Sequence, residues 1–160
     1  MNEYSSRVLF AVICVFAIGG PSPAMAQETA SHAAHAASSG LVPLPAPKGA
    51  RVEILSPRDG ETVGRTVTVK FAISGIELKP AGDVTANSGH HHLLIDVDKL
   101  PPLDLPIPAD ANHRHYGKAQ TQDTLELGPG THTLQLDLGD ARHLQFDPPI
   151  VSPRITIHVK

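Results

Sequence analysis

The chain has no tryptophan and one cysteine, Cys14, and its only methionines are Met1 and Met25. All of this sulfur falls within the first 26 positions. If that stretch is removed, no disulfide can hold the rest together, and a soft thiolate or thioether site selecting Cu(I) is disfavoured. Aromatic residues are scarce as well. Phe71, Tyr116 and Phe146 are the only ones beyond position 26, so the core has to be built from Val, Ile and Leu. No apolar run approaches the ~20 residues of a membrane-spanning helix. Positive charge is not in excess either. Loss of Arg7 and Glu3 takes Lys+Arg from 13 to 12 and Asp+Glu from 16 to 15, leaving a net charge of −3. That balance argues against nucleic acid or anionic lipid as a partner.

The first 26 residues have the layout of a cleavable export signal. Arg7 supplies the positive start, residues 8–19 the apolar stretch, and Ala24-Met25-Ala26 the small-x-small cleavage site. Cys14 lies inside the apolar stretch, which speaks against a lipid anchor. The expectation is a periplasmic protein, with no membrane insertion once the signal is removed. Residues 27–50, rich in Ala, Ser, Pro and Gly, read as a disordered linker. His32 and His35 lie in it and read as solvated side chains. Residues 51–160 form the domain.

In that domain the apolar residues alternate. Residues 51–55 form a first strand, closed by the turn Ser56-Pro57-Arg58-Asp59-Gly60. Residues 66–73 alternate with Val67, Val69, Phe71 and Ile73 inward, and a short 76–78 follows. The strand at 91–97 puts His91, Leu93, Ile95 and Val97 on one face, and His90, His92, Leu94 and Asp96 on the other. A loop at 98–112, with Pro101, Pro102, Pro106 and Pro108, excludes helix and central strand. Residues 124–127, 131–138 and 154–159 complete the strands. Gly128-Pro129-Gly130 reads as a tight antiparallel connection between 124–127 and 131–138. No amphipathic helix is present. The pattern is all-β: an immunoglobulin-like antiparallel β-sandwich of six to seven short strands, with a small barrel as the alternative.

All ten histidines lie beyond position 26. If 91–97 pairs antiparallel with 131–138, then His90, His91, His92, His113, His115 and His143 collect at one end of the sandwich. His132 falls at the other, as a neutral imidazole donating to a backbone carbonyl. Neutral imidazole is a good ligand for Zn(II), Cu(II) and Ni(II). The cluster therefore reads as a site for a divalent transition metal, Cu(II) or Zn(II), with His90, His92, His115 and His143 preferred and His91 and His113 as alternates. Asp96, Asp140 or Asp147 could add an oxygen ligand or orient a ring. Imidazoles that cap loop backbone, or a solvated histidine-rich surface, are the competing readings. No zinc-hydrolase pattern, nucleophile elbow or phosphate loop is present, so no enzyme is expected.

Gly89-His90-His91-His92-Leu93-Leu94-Ile95-Asp96 is followed by His115-Tyr116-Gly117-Lys118-Ala119-Gln120-Thr121. Pro129-Gly130-Thr131-His132-Thr133-Leu134-Gln135-Leu136 and Gly139-Asp140 come next, then His143 and Pro148-Pro149. Together these resemble an exported bacterial family catalogued as domain-of-unknown-function family 4399, from about residue 52 to 159. The resemblance implies a periplasmic or surface location and marks His90, His91, His92, His115, His132 and His143 as motif positions. Two functions stay open: a carrier or buffer for a divalent metal ion, and a non-catalytic immunoglobulin-like module that binds another envelope protein through a fold with structural histidines.

Overall fold

The computed structural model describes residues 41–160. The stretch expected to be an export signal, 1–26, and positions 27–40 of the expected linker, with His32 and His35, lie outside the described residues. Nine strands form: β1 Arg51–Ser56, β2 Thr62–Val63, β3 Thr66–Ser74, β4 Glu77–Leu78, β5 Ser88–Ile95, β6 His113–His115, β7 Gln122–Glu126, β8 Gly130–Gly139 and β9 Ile155–Val159. They make a β-sandwich. One sheet has the order β1-β3-β7; the other runs β2-β9-β8-β5-β4, with β6 also on β5.

Alternation explains the core. Val52, Val67, Val69, Phe71 and Leu125 of the small sheet face Leu93, Ile95, Leu134, Leu136, Leu138, Ile155 and Ile157 of the large one in a single buried cluster. Burying each such side chain is worth roughly 1.5–3 kcal/mol, which lets a core without tryptophan or disulfide hold.

Three expectations need correction. First, the 124–127 strand does not form a hairpin with 131–138. β7 pairs antiparallel with β3, Leu125 opposite Val67, so Gly128-Pro129-Gly130 carries the chain from one sheet to the other. Gly130 has φ 144°, open to glycine alone at little cost, and Pro129 has no N–H to give to a ladder. Second, β5 ends at Ile95, not Val97. Asp96 has φ 56°, which breaks the extended run, and its Oδ1 accepts the Thr133 N–H at 2.8 Å. Third, the linker expectation ran to residue 50, yet residues 41–50 lie along the domain. The Ala46 N–H donates to Asp147 O at 3.0 Å, and the Asp147 N–H donates to Leu44 O at 2.9 Å. Pro45 sits between these two bonds, where its missing donor costs nothing. Arg142 Nη2 donates to Val42 O at 3.1 Å.

The outward face of β5 and β8 is not solvent. Leu94, Ile107 and Leu144 are buried there, apart from the main core. The proline-rich loop and the loop after β8 are stitched together: the Ile107 N–H donates to His143 O at 2.8 Å, and Gln145 Nε2 donates to Pro101 O at 2.7 Å. These loops close a second, thin layer over the sheet.

Candidate metal centre

β5 is the central strand of the site. Its outward residues His90 and His92 stand opposite Gly139 and Asp137 of β8, and His92 is also paired with His115 of β6. Strand periodicity of two puts His90 and His92 side by side on one face, with His91 on the other. His143 arrives from the loop after β8. That loop is wound by Asp140, whose Oδ1 accepts the N–H groups of Arg142 and Leu144 at 2.7 and 3.0 Å. The Oδ2 of Asp140 accepts Arg142 Nε and Nη2 at 3.0 and 2.8 Å. His143 itself is held at φ 67°.

These four side chains converge. One nitrogen from each of His90, His92, His115 and His143 lies within 4.8 Å of the other three. Their ring centroids are 4.8–5.8 Å apart. The Nε2 atoms of His115 and His143 are 3.2 Å apart. A tetrahedral ion with bonds of about 2.0–2.1 Å requires nitrogens about 3.3–3.4 Å apart, so this pair stands at a ligating separation. The remaining rings need shifts on the order of an ångström.

Two glycines leave room for the rings. A Cβ on Gly139 would stand 2.8 Å from His92 Cε1 and 3.2 Å from its Nδ1. One on Gly117 would stand 2.7 Å from His115 Nε2 and closer still to its Cε1. Alanine at either place displaces an imidazole.

Burial and mutual repulsion keep the site neutral. His90 and His92 are fully buried, His143 is half-buried and His115 is exposed, so the group opens to solvent on one side. Desolvation, then the neighbouring imidazoles, push His90 down to about 4 and His92 to about 2. Desolvation and His143 lower His115 as well. Neutral rings keep a lone pair for a Lewis acid at ordinary pH. No ring nitrogen of His90 or His92 has a hydrogen-bond partner within the described residues.

The other candidates fall elsewhere. His91 points into the sandwich, 5.4 Å from Phe71 between ring centroids, and burial lowers it to about 4. Its face of β5 cannot reach the group. His113 Nδ1 is engaged by Asp110 Oδ1 at 2.9 Å, which turns it away from the other four. Asp96 serves His132, Asp140 winds the His143 loop, and Asp147 pairs through its backbone with residues 44 and 46. His132 is half-buried, with Nδ1 2.7 Å from Asp96 Oδ2 and Nε2 3.0 Å from Gly128 O. The contact with the Gly128 carbonyl is the one expected for this ring; the Asp96 carboxylate was not expected, and its hydrogen bond raises the pKa of His132 and so favours the protonated form.

Asp137 went unnoticed in the sequence. It lies between Leu136 and Leu138 in an alternating strand, where outward usually means solvated, yet it is fully buried. Desolvation raises its carboxyl to about 8 against a smaller opposing pull from the adjacent Leu138 N–H; that N–H is given to Ile150 O, and neither oxygen has a partner of hydrogen-bonding geometry among the described residues. Its register opposite His92 is the signal that could have found it.

A family model described as "Domain of unknown function (DUF4399)" matches residues 69–160. The chain belongs to this family. No curated protein and no solved structure matches it. The DUF4399 match takes in all four converging histidines as well as His132, while β1 and residues 41–50 lie outside it.

Proposed function

We propose that this protein binds one divalent transition-metal ion, Zn(II) or Cu(II), through His90, His92, His115 and His143, and serves as a periplasmic carrier or buffer rather than an enzyme. The observation that carries this reading is the convergence of four imidazole nitrogens within 4.8 Å, two of them on fully buried rings. If the histidines only capped loops, each buried ring nitrogen would meet a backbone carbonyl or N–H. The rings of His90 and His92 meet none within the described residues, and unlike His91, which meets none either, they converge with two further imidazoles, which favours an ion over a capping role. The exposed edge at His115 provides entry. All-nitrogen, neutral ligation suits Zn(II) and Cu(II), and the lack of sulfur beyond position 26 disfavours Cu(I). Among the described residues Asp96 and Asp140 are engaged by loop groups, and Asp137, opposite His92, is sealed from solvent, which supports storage or transport over catalysis.

The test is isothermal titration of the exported chain with Zn(II) and with Cu(II), alongside His92→Leu and His115→Ala. The expected result is one ion per chain, with binding lost or strongly weakened in both variants. An affinity that neither substitution changes would overturn the reading. It would leave the second function, an envelope interaction module with structural histidines, as the better account.

A further inference from the structure

Asp137 is a buried carboxylate that nothing within the described residues satisfies. It is fully buried, both oxygens are unpartnered, and it stands on β8 in register with His92 on the covered outer face of the large sheet. Directly opposed residues on one face of an antiparallel pair have Cβ atoms about 4.5–5.5 Å apart, so the carboxyl and the ring are within mutual reach. Placing a lone carboxylate in such a position is costly unless a charge or a donor meets it.

The neighbouring site lacks the complementary item. Four neutral imidazoles bring no charge, so a divalent ion held by them alone would bury two uncompensated positive charges. An imidazole that ligates through one nitrogen carries a proton on the other, and that N–H seeks an acceptor. His92 has no acceptor among the described residues. One buried group lacks a donor and a cation; the other lacks an acceptor and an anion. They stand in register across a single strand pair, with the His92 ring over Gly139 and no hydrogen bond between the two groups in this structure.

We infer that Asp137 is the positioning residue of the metal centre, accepting the His92 N–H that turns away from the ion and offsetting one of the two charges the ion brings. This inference rests on the metal-binding reading proposed above. Asp137 touches the ion only through His92 and is not itself a ligand, in keeping with its place outside the group of four.

The experiment compares the full exported chain with Asp137→Asn and Asp137→Leu. Zn(II) affinity is measured by chelator competition, and melting temperature with and without Zn(II). Asparagine keeps the shape and removes the charge, and leucine removes polarity altogether, so both relieve the metal-free protein. The expected result is a 10- to 100-fold loss of affinity, with the metal-free melting temperature unchanged or raised and the gain on adding Zn(II) reduced. Co(II) loaded into the site reports ligand orientation through its visible spectrum, which should differ between wild type and Asp137→Asn. Wild-type affinity in Asp137→Asn, with metal-free and metal-loaded melting temperatures moving together, would overturn the inference alone and leave the four-histidine site standing. Absence of Zn(II) binding by the wild type would overturn the metal-binding reading, and this inference with it.

Discussion

Histidines stand near both ends of strand β5, His90 and His92 on the strand itself and His132 on the neighbouring β8, and their surroundings push them in opposite electrostatic directions. At the start, His90 and His92 are packed among other imidazoles and apolar loops, and their proton affinity collapses. At the finish, His132 lies between the Asp96 carboxylate and the Gly128 carbonyl, and its proton affinity rises. The residue type is the same and the sheet is the same. What differs is whether the neighbours are acceptors or further imidazoles. A ring among acceptors holds its proton more tightly, and a ring among rings gives it up.

Acid should break this contrast with the largest effect. A histidine whose folded pKa is lowered contributes stability that is fully present above pH 6.5 and is lost as pH falls towards the folded value. For His91, taken from 6.5 to about 4, that amounts to roughly 3 kcal/mol at 1.36 kcal/mol per unit. His90 and His92 act in the same direction. Asp137, raised to about 8, works in the opposite sense, since its carboxyl costs stability as pH rises through that range, but it is one carboxyl against three imidazoles. Denaturant melts of the metal-free protein should show stability falling between pH 6.5 and 4, and His91→Leu should flatten that fall without touching metal affinity.

Removing a ligand comes next. At a hundredfold excess over Kd, a bound ion adds about 2.7 kcal/mol to folding. His92→Leu should abolish that gain in a thermal melt, and His132→Ala should leave it whole. Equal losses from the two variants would erase the distinction between the ends of β5.

Smaller still is the effect of crowding a ring. Gly139→Ala places a Cβ 2.8 Å from His92 Cε1 and should cost about 1–3 kcal/mol while weakening Zn(II) binding. Gly128→Ala, which meets nothing within 4 Å, is the control.

The smallest expected effect is at His132. Because the folded pKa of His132 is raised, its stabilisation is present below pH 6.5 and fades as pH rises through the folded value. His132→Ala or Asp96→Asn should cost ~1 kcal/mol at pH 6 and less at pH 9 by chemical denaturation.

Much of this was legible in the residues because alternation is a local signal. Val67, Val69 and Phe71, and Leu134, Leu136 and Leu138, declare their inward faces without reference to anything distant. The antiparallel pairing of β5 with β8, which collects His90, His92 and His143, came from supposing an immunoglobulin-like strand order, and the structure has that pairing. What stayed hidden depended on layers. Whether β7 pairs beside β8 or crosses to β3 depends on how a three-residue connection leaves the plane of a sheet, and its residues alone permit either. Asp137 reads as solvated until the outer face of the large sheet is known to be covered. Residues 41–50 look featureless because their partner, Asp147, is a hundred positions away.

The shortness of β6 has a consequence for time rather than for affinity. It is three residues long and is held by β5 alone, and it supplies His115, the exposed member of the four. His90 and His92 belong to β5, which is paired on both sides, whereas β6 can leave β5 without disturbing the pairing of β5 with β8. Local openings of short edge segments occur far more often than global unfolding. Under the metal-binding reading proposed above, exchange of the ion should therefore keep pace with the opening of β6 and be limited by that opening however much chelator is present. Of the four rings, His115 is the one whose strand can part from the sheet and leave the β5–β8 ladder whole.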